Sequence, residues 1–206
     1  MNPITATMIV RNEAGSLRAR VNRLRRHVAE VVILDQCSTD GTAALARELA
    51  EYTFQLPSTG IADPDKNLVY SLGRQPWVLS MDGDEELTPY LEDALPGLTA
   101  SEEDVFWFPR VDLVEGLVMP FLGADYQPRL FRRGALAYSG QAHTHPDMRS
   151  HKVCLVPDCP ILHLRSWEDV QRRNRVRNAL GPEVVAKQEA YIAQVGDFLR
   201  ARGKIQ

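Results

Sequence analysis

Short apolar runs alternate with amphipathic segments along the first hundred residues of the chain. Four of these runs have the length and composition of buried strands: Ile4–Val10, Val31–Leu34, Thr53–Leu56 and Trp77–Met81. Three segments between them space their apolar positions as a helix does: Asn12–Arg26, Ala43–Tyr52 and Asp63–Leu72. Because strands and helices alternate at this short spacing, we expect a parallel sheet with right-handed crossovers.

The pattern changes after residue 98. Asp104–Glu115 alternates apolar and polar positions, and Gly116 is placed to turn it into Leu117–Leu122 as a hairpin. Further strands and helices are expected downstream: Gln127–Phe131, Lys152–Val156, a basic helix from Ser166 that includes Gln171–Arg177, and a final helix over Glu183–Arg202. We therefore expect one α/β domain over residues 1–165, with two halves that meet near residue 98, and a helical extension over residues 166–206.

Carboxylates stand where two of the predicted strands end. Asp35 ends the second strand, and Asp82-Gly83-Asp84 ends the fourth. Open α/β sheets bind their ligands at this edge, and paired carboxylates can hold a divalent cation that in turn holds a diphosphate. The alternative is ordinary turn chemistry, in which acidic residues favour the N-terminus of a following helix.

Other acidic residues are expected to stabilise helix N-termini. Asp40 is placed to cap the helix that begins after it. Glu85 and Glu86 are expected to favour the start of a helix that runs from Thr88 or Pro89 to Leu95.

Four segments, in this order and at this spacing, resemble the family 2 glycosyltransferases of the GT-A fold: Met8–Ala14, Val32–Thr42, Lys66-Asn67 and Leu79–Glu85. A weaker similarity continues through Tyr126–Arg133 and His143. The resemblance implies a three-layer α/β/α sandwich with a mostly parallel sheet and a C-terminal helical extension. It also implies an enzyme that moves a sugar from a nucleoside-diphosphate sugar to an acceptor. Mn²⁺ or Mg²⁺ is the implied cofactor, and UDP-sugars are favoured over GDP-sugars as donors.

The resemblance also assigns roles to individual residues. Asp35 is expected against the nucleotide base or ribose, and Asp82 at the ribose or the metal ion. Asp84 is expected to bind the metal ion directly. Lys66 is expected to neutralise phosphate charge, although a lysine on a solvated helix face is nearly as good an interpretation.

The remaining site residues are expected downstream of the aspartate pair. His145 lies in a polar loop and His163 closes an apolar stretch, as a residue at a sheet edge would. Either could complete the metal site, and a hydrogen-bonded structural role is the alternative for each. Family 2 resemblance implies transfer with inversion, which needs a carboxylate base near the acceptor hydroxyl. Asp125 is our candidate base, with Asp147 and Asp112 as alternatives.

Charge and composition narrow the expected partners. A net charge of −3 argues against a nucleic-acid-binding surface over the whole chain. No run of 18 apolar residues or leader-like segment is present, and the three cysteines are an odd number. We therefore expect a cytoplasmic protein whose membrane contact is at most peripheral. Arginines at Arg129, Arg132, Arg133 and within Gln171–Arg177 predict an anionic acceptor, and ion pairing within the chain is their alternative role.

Three other functions share part of this pattern. Phosphotransferases of the haloacid dehalogenase type also place two aspartates after a strand, but normally after the first strand of the domain. Nucleotidylyltransferases carry a glycine-rich loop after the first strand, where this chain has the single Gly15. A non-catalytic scaffold that binds nucleotide sugars is a further alternative.

Overall fold

The computed structural model describes residues 1–57, 63–120, 125–139, 146–148, 151–171 and 182–206, with side chains for all of these except 63–64 and 182–188. Strands occupy β1 (Asn2–Val10), β2 (Val28–Asp35), β3 (Tyr52–Gln55), β4 (Trp77–Asp82), β5 (Glu85–Leu87), β6 (Val105–Val114), β7 (Leu117–Val118), β8 (Asp125–Arg132), β9 (Val153–Leu155) and β10 (Ile161–Arg165). Helices occupy α1 (Leu17–Leu24), α2 (Thr42–Leu49), α3 (Asp63–Leu72), α4 (Pro89–Ala100) and α5 (Pro182–Arg200), and residues 167–171 are also helical.

The first half of the sheet is parallel, as predicted. Its strands lie in the order β3-β2-β1-β4, and every neighbouring pair is parallel. On the central strand β1, Ala6 lies between Val31 of β2 and Leu79 of β4. All three side chains are fully buried because helices cover both faces of a parallel sheet.

The second half continues the same sheet in the order β4-β8-β6-β10-β5 and is mixed. β8 is antiparallel to both β4 and β6, so β4 and β6 run in the same direction. β10 is parallel to β6, and the short β5 is antiparallel to β10. The C-terminal ends of β1, β2, β4, β6 and β10 therefore face one edge of the sheet.

Helices pack on both faces of the sheet, which confirms the three-layer α/β/α architecture. One apolar cluster joins one face of the sheet to α1, α2 and α4, for example through Leu17, Ala46 and Leu91. A second cluster joins the opposite face to α3 through Val69 and Tyr70. A third, smaller cluster joins α5 to the β6–β7 end of the sheet. The predicted domain boundary near residue 165 stays a prediction.

The first helix is shorter than its apolar spacing predicts. We expect a helix over Asn12–Arg26, whereas α1 spans Leu17–Leu24. The φ angle of Asn12 is 57°, in the left-handed region, so Asn12 cannot be part of a right-handed helix. Its N–H donates to Ser38 Oγ and its Oδ1 accepts from the Thr39 N–H, so this segment bonds to a neighbouring loop instead of to a helix.

The prediction for Glu85 and Glu86 is wrong. They belong to β5, which pairs with β10, and the Glu85 side chain is buried. The helix itself begins where expected, at Pro89, with Thr88 as its N-cap. It ends at Ala100 instead of Leu95, because apolar packing onto the sheet continues through the last turn despite an internal proline.

β10, which carries His163, is not an outermost strand of the sheet as predicted, because it lies between β6 and β5. The β6–β7 hairpin is confirmed, and its turn has φ angles of 52° at Glu115 and 75° at Gly116. Both positive angles match the two-residue turn that hairpins favour.

The predicted basic helix over Gln171–Arg177 lies outside the described residues from residue 172 onward. In the described part of the chain, no helix is long and apolar enough to cross a membrane.

Candidate active site

The carboxylate of Asp35 is fixed at the end of β2. Asp35 is fully buried, and its oxygens accept hydrogen bonds from the Ser38 N–H at 3.2 and 3.3 Å and from the Ser38 hydroxyl. Gln55, at the end of β3, donates to the same carboxylate at 2.9 Å. The next residue, Gln36, donates to Asp65 of α3 at 2.9 Å. The parallel register thus places these polar groups together at the edge where a nucleotide is expected.

Asp40 is not the N-cap that the sequence predicts, but its carboxylate still holds the start of α2. The N-cap of α2 is Gly41, whose φ angle is 95°. Asp40 Oδ1 accepts from the N–H of Thr42 at 3.1 Å, and Oδ2 accepts from the N–H of Ala14 at 3.1 Å. Asp40 therefore joins the start of α2 to the loop that follows β1.

Arg20 of α1 holds the turn Asp82-Gly83-Asp84 in place. The Arg20 guanidinium donates to the Gly83 carbonyl and to Glu13 Oε2, the latter at 2.8 Å. A β-carbon added to Gly83 would lie 3.2 Å from Glu13 Cγ and 3.4 Å from the Ile9 carbonyl. A larger residue between the two aspartates would require Glu13 to shift by a few tenths of an ångström, so the turn is tightly packed at Gly83.

Asp82 is paired with a buried arginine that the sequence analysis did not assign to it. Arg129 Nη2 donates to Asp82 Oδ2 at 2.7 Å and to Glu85 Oε1 at 2.6 Å. Arg129 is 1% exposed, whereas the Asp82 side chain keeps 30% of its surface open. Burial opposes ionisation of Asp82, but the charges of Arg129 and Lys66 outweigh it and lower the pKa of this carboxyl. Burial raises the pKa of Glu85.

Lys66 faces the candidate site and does not lie on a solvated helix face. It is 7% exposed, and its Nζ lies 4.5 Å from the centre of the Tyr138 ring. Its charge contributes to the lowered pKa of Asp82, as expected for a cation directed toward the same edge. The neighbouring Asn67 holds Tyr138 in place, because its amide exchanges hydrogen bonds with the Tyr138 backbone at 2.7 and 2.9 Å.

Asp84 and His163, two of the predicted metal ligands, lie next to each other. His163 Nε2 lies 3.1 Å from Asp84 Oδ2, and His163 Nδ1 lies 2.6 Å from Asp112 Oδ1. Register explains this cluster, because His163 lies opposite Asp112 in β6 and opposite Glu85 in β5. Burial alone would lower the pKa of His163, but its hydrogen bonds to Asp112 and Asp84 outweigh burial and raise it. The same contact with His163 lowers the pKa of Asp112 against the opposing effect of burial.

The donor atoms at Asp84 and His163 fit a divalent cation. Adjacent ligands around a cation with bonds of about 2.1 Å lie roughly 3 Å apart, which the separation of Asp84 Oδ2 and His163 Nε2 matches. Metal-binding histidines commonly donate their other ring nitrogen to a carboxylate, as His163 can to Asp112. No group of three or more candidate ligands is present in the described part of the chain. His145, the other predicted ligand, and His143 lie outside that part.

The candidate base Asp125 lies at the start of β8, beyond the end of β4. Its side chain is 48% exposed and accepts hydrogen bonds from Arg110 at 2.6 Å and Gln127 at 2.8 Å. Arg110 also lies 3.8 Å from Glu85, so Asp125 is connected to the buried charges around Asp82. The alternative base Asp112 is half-buried against His163, as described above.

The arginines that predict an anionic acceptor are used within the fold where the structure describes them. Arg129 pairs with Asp82 and Glu85, and Arg132 lies 3.0 Å from Asp104. Arg133 donates to the backbone carbonyls of residues 73 and 74. The contacts of Arg129 and Arg132 match the ion-pairing alternative, and Arg133 is used by the backbone instead. The anionic acceptor stays a prediction that depends on the arginines of residues 172–177.

Comparison with known families identifies this arrangement. The model of the family described as Glycosyl transferase family 2 matches residues 5–117. This match covers more than half of the chain and spans the segments that carry Asp35, Asp82 and Asp84. The chain belongs to glycosyl transferase family 2.

Curated relatives agree with the family match. The lipopolysaccharide core biosynthesis glycosyltransferase LpsC of Rhizobium meliloti is 34% identical over 158 residues, which cover 69% of this chain and 56% of LpsC. An uncharacterized glycosyltransferase of Rickettsia felis is 33% identical over 132 residues, which cover 64% of this chain and 44% of that protein. The chain thus spans about half the length of the curated relatives it matches.

Solved structures share the fold. TarS 1-349 of S. aureus in complex with UDP-GlcNAc superposes with a TM-score of 0.58 at 15% identity, over 93% of this chain and 70% of TarS 1-349. The mannosyltransferase PcManGT of Pyrobaculum calidifontis, in complex with GDP-Man and Mn²⁺, gives 0.57 at 14% identity, over 99% of this chain and 76% of that protein. These similarities confirm the GT-A-like fold that the sequence resemblance implies.

Proposed function

We propose that this protein transfers a sugar from a nucleoside-diphosphate sugar to an acceptor hydroxyl, with a divalent cation held by Asp84 and His163. The observation that carries the proposal is the 3.1 Å approach of these two side chains at the sheet edge, next to Asp82, in a member of glycosyl transferase family 2. Two protein ligands leave the remaining positions of Mn²⁺ or Mg²⁺ to diphosphate oxygens and water, which is how such ions usually bind nucleotides. When bound there, the cation neutralises charge that develops on the departing nucleoside diphosphate.

The nucleotide lies, in this proposal, across the ends of β2 and β4. The base or ribose packs over the end of β2, where Ser38 and Gln55 hold the buried Asp35 carboxylate in place. Asp82 keeps part of its carboxylate exposed for a ribose hydroxyl while Arg129 holds the other side. Lys66 supplies positive charge next to the diphosphate. UDP-sugar is the proposed donor; the two similar structures carry a UDP-sugar and a GDP-sugar respectively.

The proposed reaction is a single displacement with inversion. The acceptor oxygen forms a bond to the anomeric carbon while the bond from that carbon to the diphosphate oxygen breaks. The acceptor proton passes to Asp125, which is exposed at the start of β8. Arg110 and Gln127 hold this carboxylate in position for the transfer.

The test begins with binding and then follows the products. Isothermal titration of UDP and GDP with and without Mn²⁺ should show nucleotide binding that requires the cation. Incubation with UDP- and GDP-sugars should release nucleoside diphosphate, with water as acceptor when no other is supplied. Formation of nucleoside triphosphate and sugar 1-phosphate from the nucleotide sugar and added pyrophosphate would instead indicate a nucleotidylyltransferase. Cation-dependent binding without any turnover would indicate a non-catalytic scaffold, and retained anomeric configuration in an NMR spectrum of the product would exclude inversion.

A further inference from the structure

The C-terminal helix α5 reaches the residues that surround the candidate metal site. Tyr191 lies on α5, and its hydroxyl is 3.3 Å from Asp112 Oδ2 and 3.3 Å from Arg165 Nη1. Arginine can only donate, so the hydroxyl oxygen accepts from Arg165 and its single hydrogen is directed to Asp112. Burial raises the pKa of Tyr191, which keeps this hydrogen in place.

The two oxygens of Asp112 have separate partners. Oδ1 lies 2.6 Å from His163 Nδ1, whereas Oδ2 receives the Tyr191 hydroxyl and lies 3.9 Å from Arg165 Nη1, the group that also donates to Tyr191. A carboxylate held at both oxygens cannot rotate without losing one contact. The orientation of the His163 imidazole toward Asp84 therefore depends on an element that is 79 residues away from Asp112 in sequence.

Packing fixes α5 independently of this hydrogen bond. Val195 and Leu199 are fully buried against Val114 and Met119 at the β6–β7 end of the sheet. Gly196 lets the helix approach Trp167, because a β-carbon added there would lie 3.2 Å from the indole ring. The apolar contacts set the position of the helix, and the hydroxyl of Tyr191 transmits that position to the site.

We propose that α5 is part of the active site, and that Tyr191 is a positioning residue that orients His163 through Asp112. The inference deepens the proposed function and rests on it, because it concerns the ligands assigned there. Partners that orient a metal ligand directly are typically worth 10–100-fold in metal affinity. Asp112 is such a partner because it contacts His163 directly, whereas Tyr191 contacts Asp112 and not His163. We therefore expect a smaller effect for Tyr191, of about threefold to tenfold, than for Asp112.

The experiment compares cation affinities in the full chain. Free Mn²⁺ is followed by its electron paramagnetic resonance signal during titration, in the presence of whichever of UDP and GDP the wild type binds. Tyr191→Phe removes only the hydroxyl and keeps the ring, and it should raise the half-saturating Mn²⁺ concentration about threefold to tenfold with unchanged thermal unfolding. The matched control is Tyr90→Phe, since Tyr90 is 71% exposed on α4 and should leave Mn²⁺ binding unchanged.

A double-mutant cycle separates positioning from general destabilisation. If Tyr191 acts through Asp112, adding Tyr191→Phe to Asp112→Asn should cause no further loss of Mn²⁺ affinity. Equal losses in both backgrounds would overturn the proposed route. If Asp112→Asn weakens Mn²⁺ binding and Tyr191→Phe does not, only this inference falls. If the wild type shows no Mn²⁺-dependent nucleotide binding, the proposed function falls and the inference falls with it.

Discussion

The parallel and the mixed halves of the sheet supply the candidate site in different ways. In the parallel half, Asp35, Asp82 and Asp84 stand at the ends of strands or directly after them. In the mixed half, Arg129 and His163 lie inside strands, as Asp112 does. The first group reaches the edge because of its place in the chain. Arg129, His163 and Asp112 meet the aspartates only because neighbouring strands pair in a particular register. This part of the site therefore depends on strand pairing, which no local sequence pattern specifies.

The largest expected effect comes from breaking the buried ion pairs of Arg129, one of which joins the two halves. Arg129→Leu removes a buried cation of β8 and leaves Asp82 and Glu85 without its charge. Breaking a buried pair leaves the remaining charges unpaired inside the protein. The free energy of unfolding of Arg129→Leu, measured in urea titrations, should therefore be lower by about 3–5 kcal/mol.

The control for this variant is an exposed pair within the first half. Arg18→Leu breaks the contact with Glu48, whose side chain is 59% exposed, and should cost at most about 1 kcal/mol. Similar unfolding free energies for the two variants would show that Arg129 does not hold the halves together.

The next largest expected effect is on nucleotide binding, and it compares one proposed metal-binding residue from each half of the sheet. Asp84→Ala and His163→Ala should each weaken Mn²⁺-supported binding of a nucleoside diphosphate by about 2–4 kcal/mol, the range for losing a charged contact in a desolvated site. Isothermal titration measures both losses. Asp93→Ala is the control, because Asp93 is exposed on α4. A loss for Asp84→Ala alone would remove His163 and the mixed half from the metal site.

The close packing around Gly83 allows a test of the parallel half alone. Gly83→Ala places a β-carbon 3.2 Å from Glu13 Cγ, and overpacking of this kind should destabilise the protein by about 1–3 kcal/mol. Gly97→Ala is the matched control, since nothing lies within 4 Å of the added carbon, and alanine in a helix should be neutral or stabilising. Thermal unfolding that ranks the two variants in the opposite order would be inconsistent with the close approach.

The smallest expected effect comes from a polar link between the halves. Asn67→Ala removes both hydrogen bonds to the Tyr138 backbone and should cost about 1 kcal/mol in urea unfolding. Ser71→Ala on the same helix removes one exposed local contact with Leu68 and should change stability by less than about 0.5 kcal/mol. We would abandon this link if both variants unfolded at the same urea concentration.

The sequence predicted the strands of the parallel half and the places of Asp35, Asp82 and Asp84 at their ends. Apolar runs and helical spacing are local patterns, and β1, β2, β3 and β4 appear where those patterns place them. The positions of Asp35, Asp82 and Asp84 follow directly, since a residue at the end of a parallel strand lies at the ligand-binding edge. Errors in this half lie at the boundaries of elements. For example, β2 begins at Val28 instead of Val31, and α1 is short because the loop after β2 bonds to Asn12.

The partners of these residues were decided only by the tertiary structure. Nothing in the local pattern of β5 distinguishes Glu85 from a residue that favours a helix N-terminus, because its role comes from pairing with β10 and from the charge of Arg129. Asp112 has an ordinary alternating pattern around it, and it becomes the partner of His163 through the in-register pairing of β6 and β10. Such contacts join residues 44 to 79 positions apart, so the sequence alone determined which chemical groups were available and the sheet register determined which of them meet.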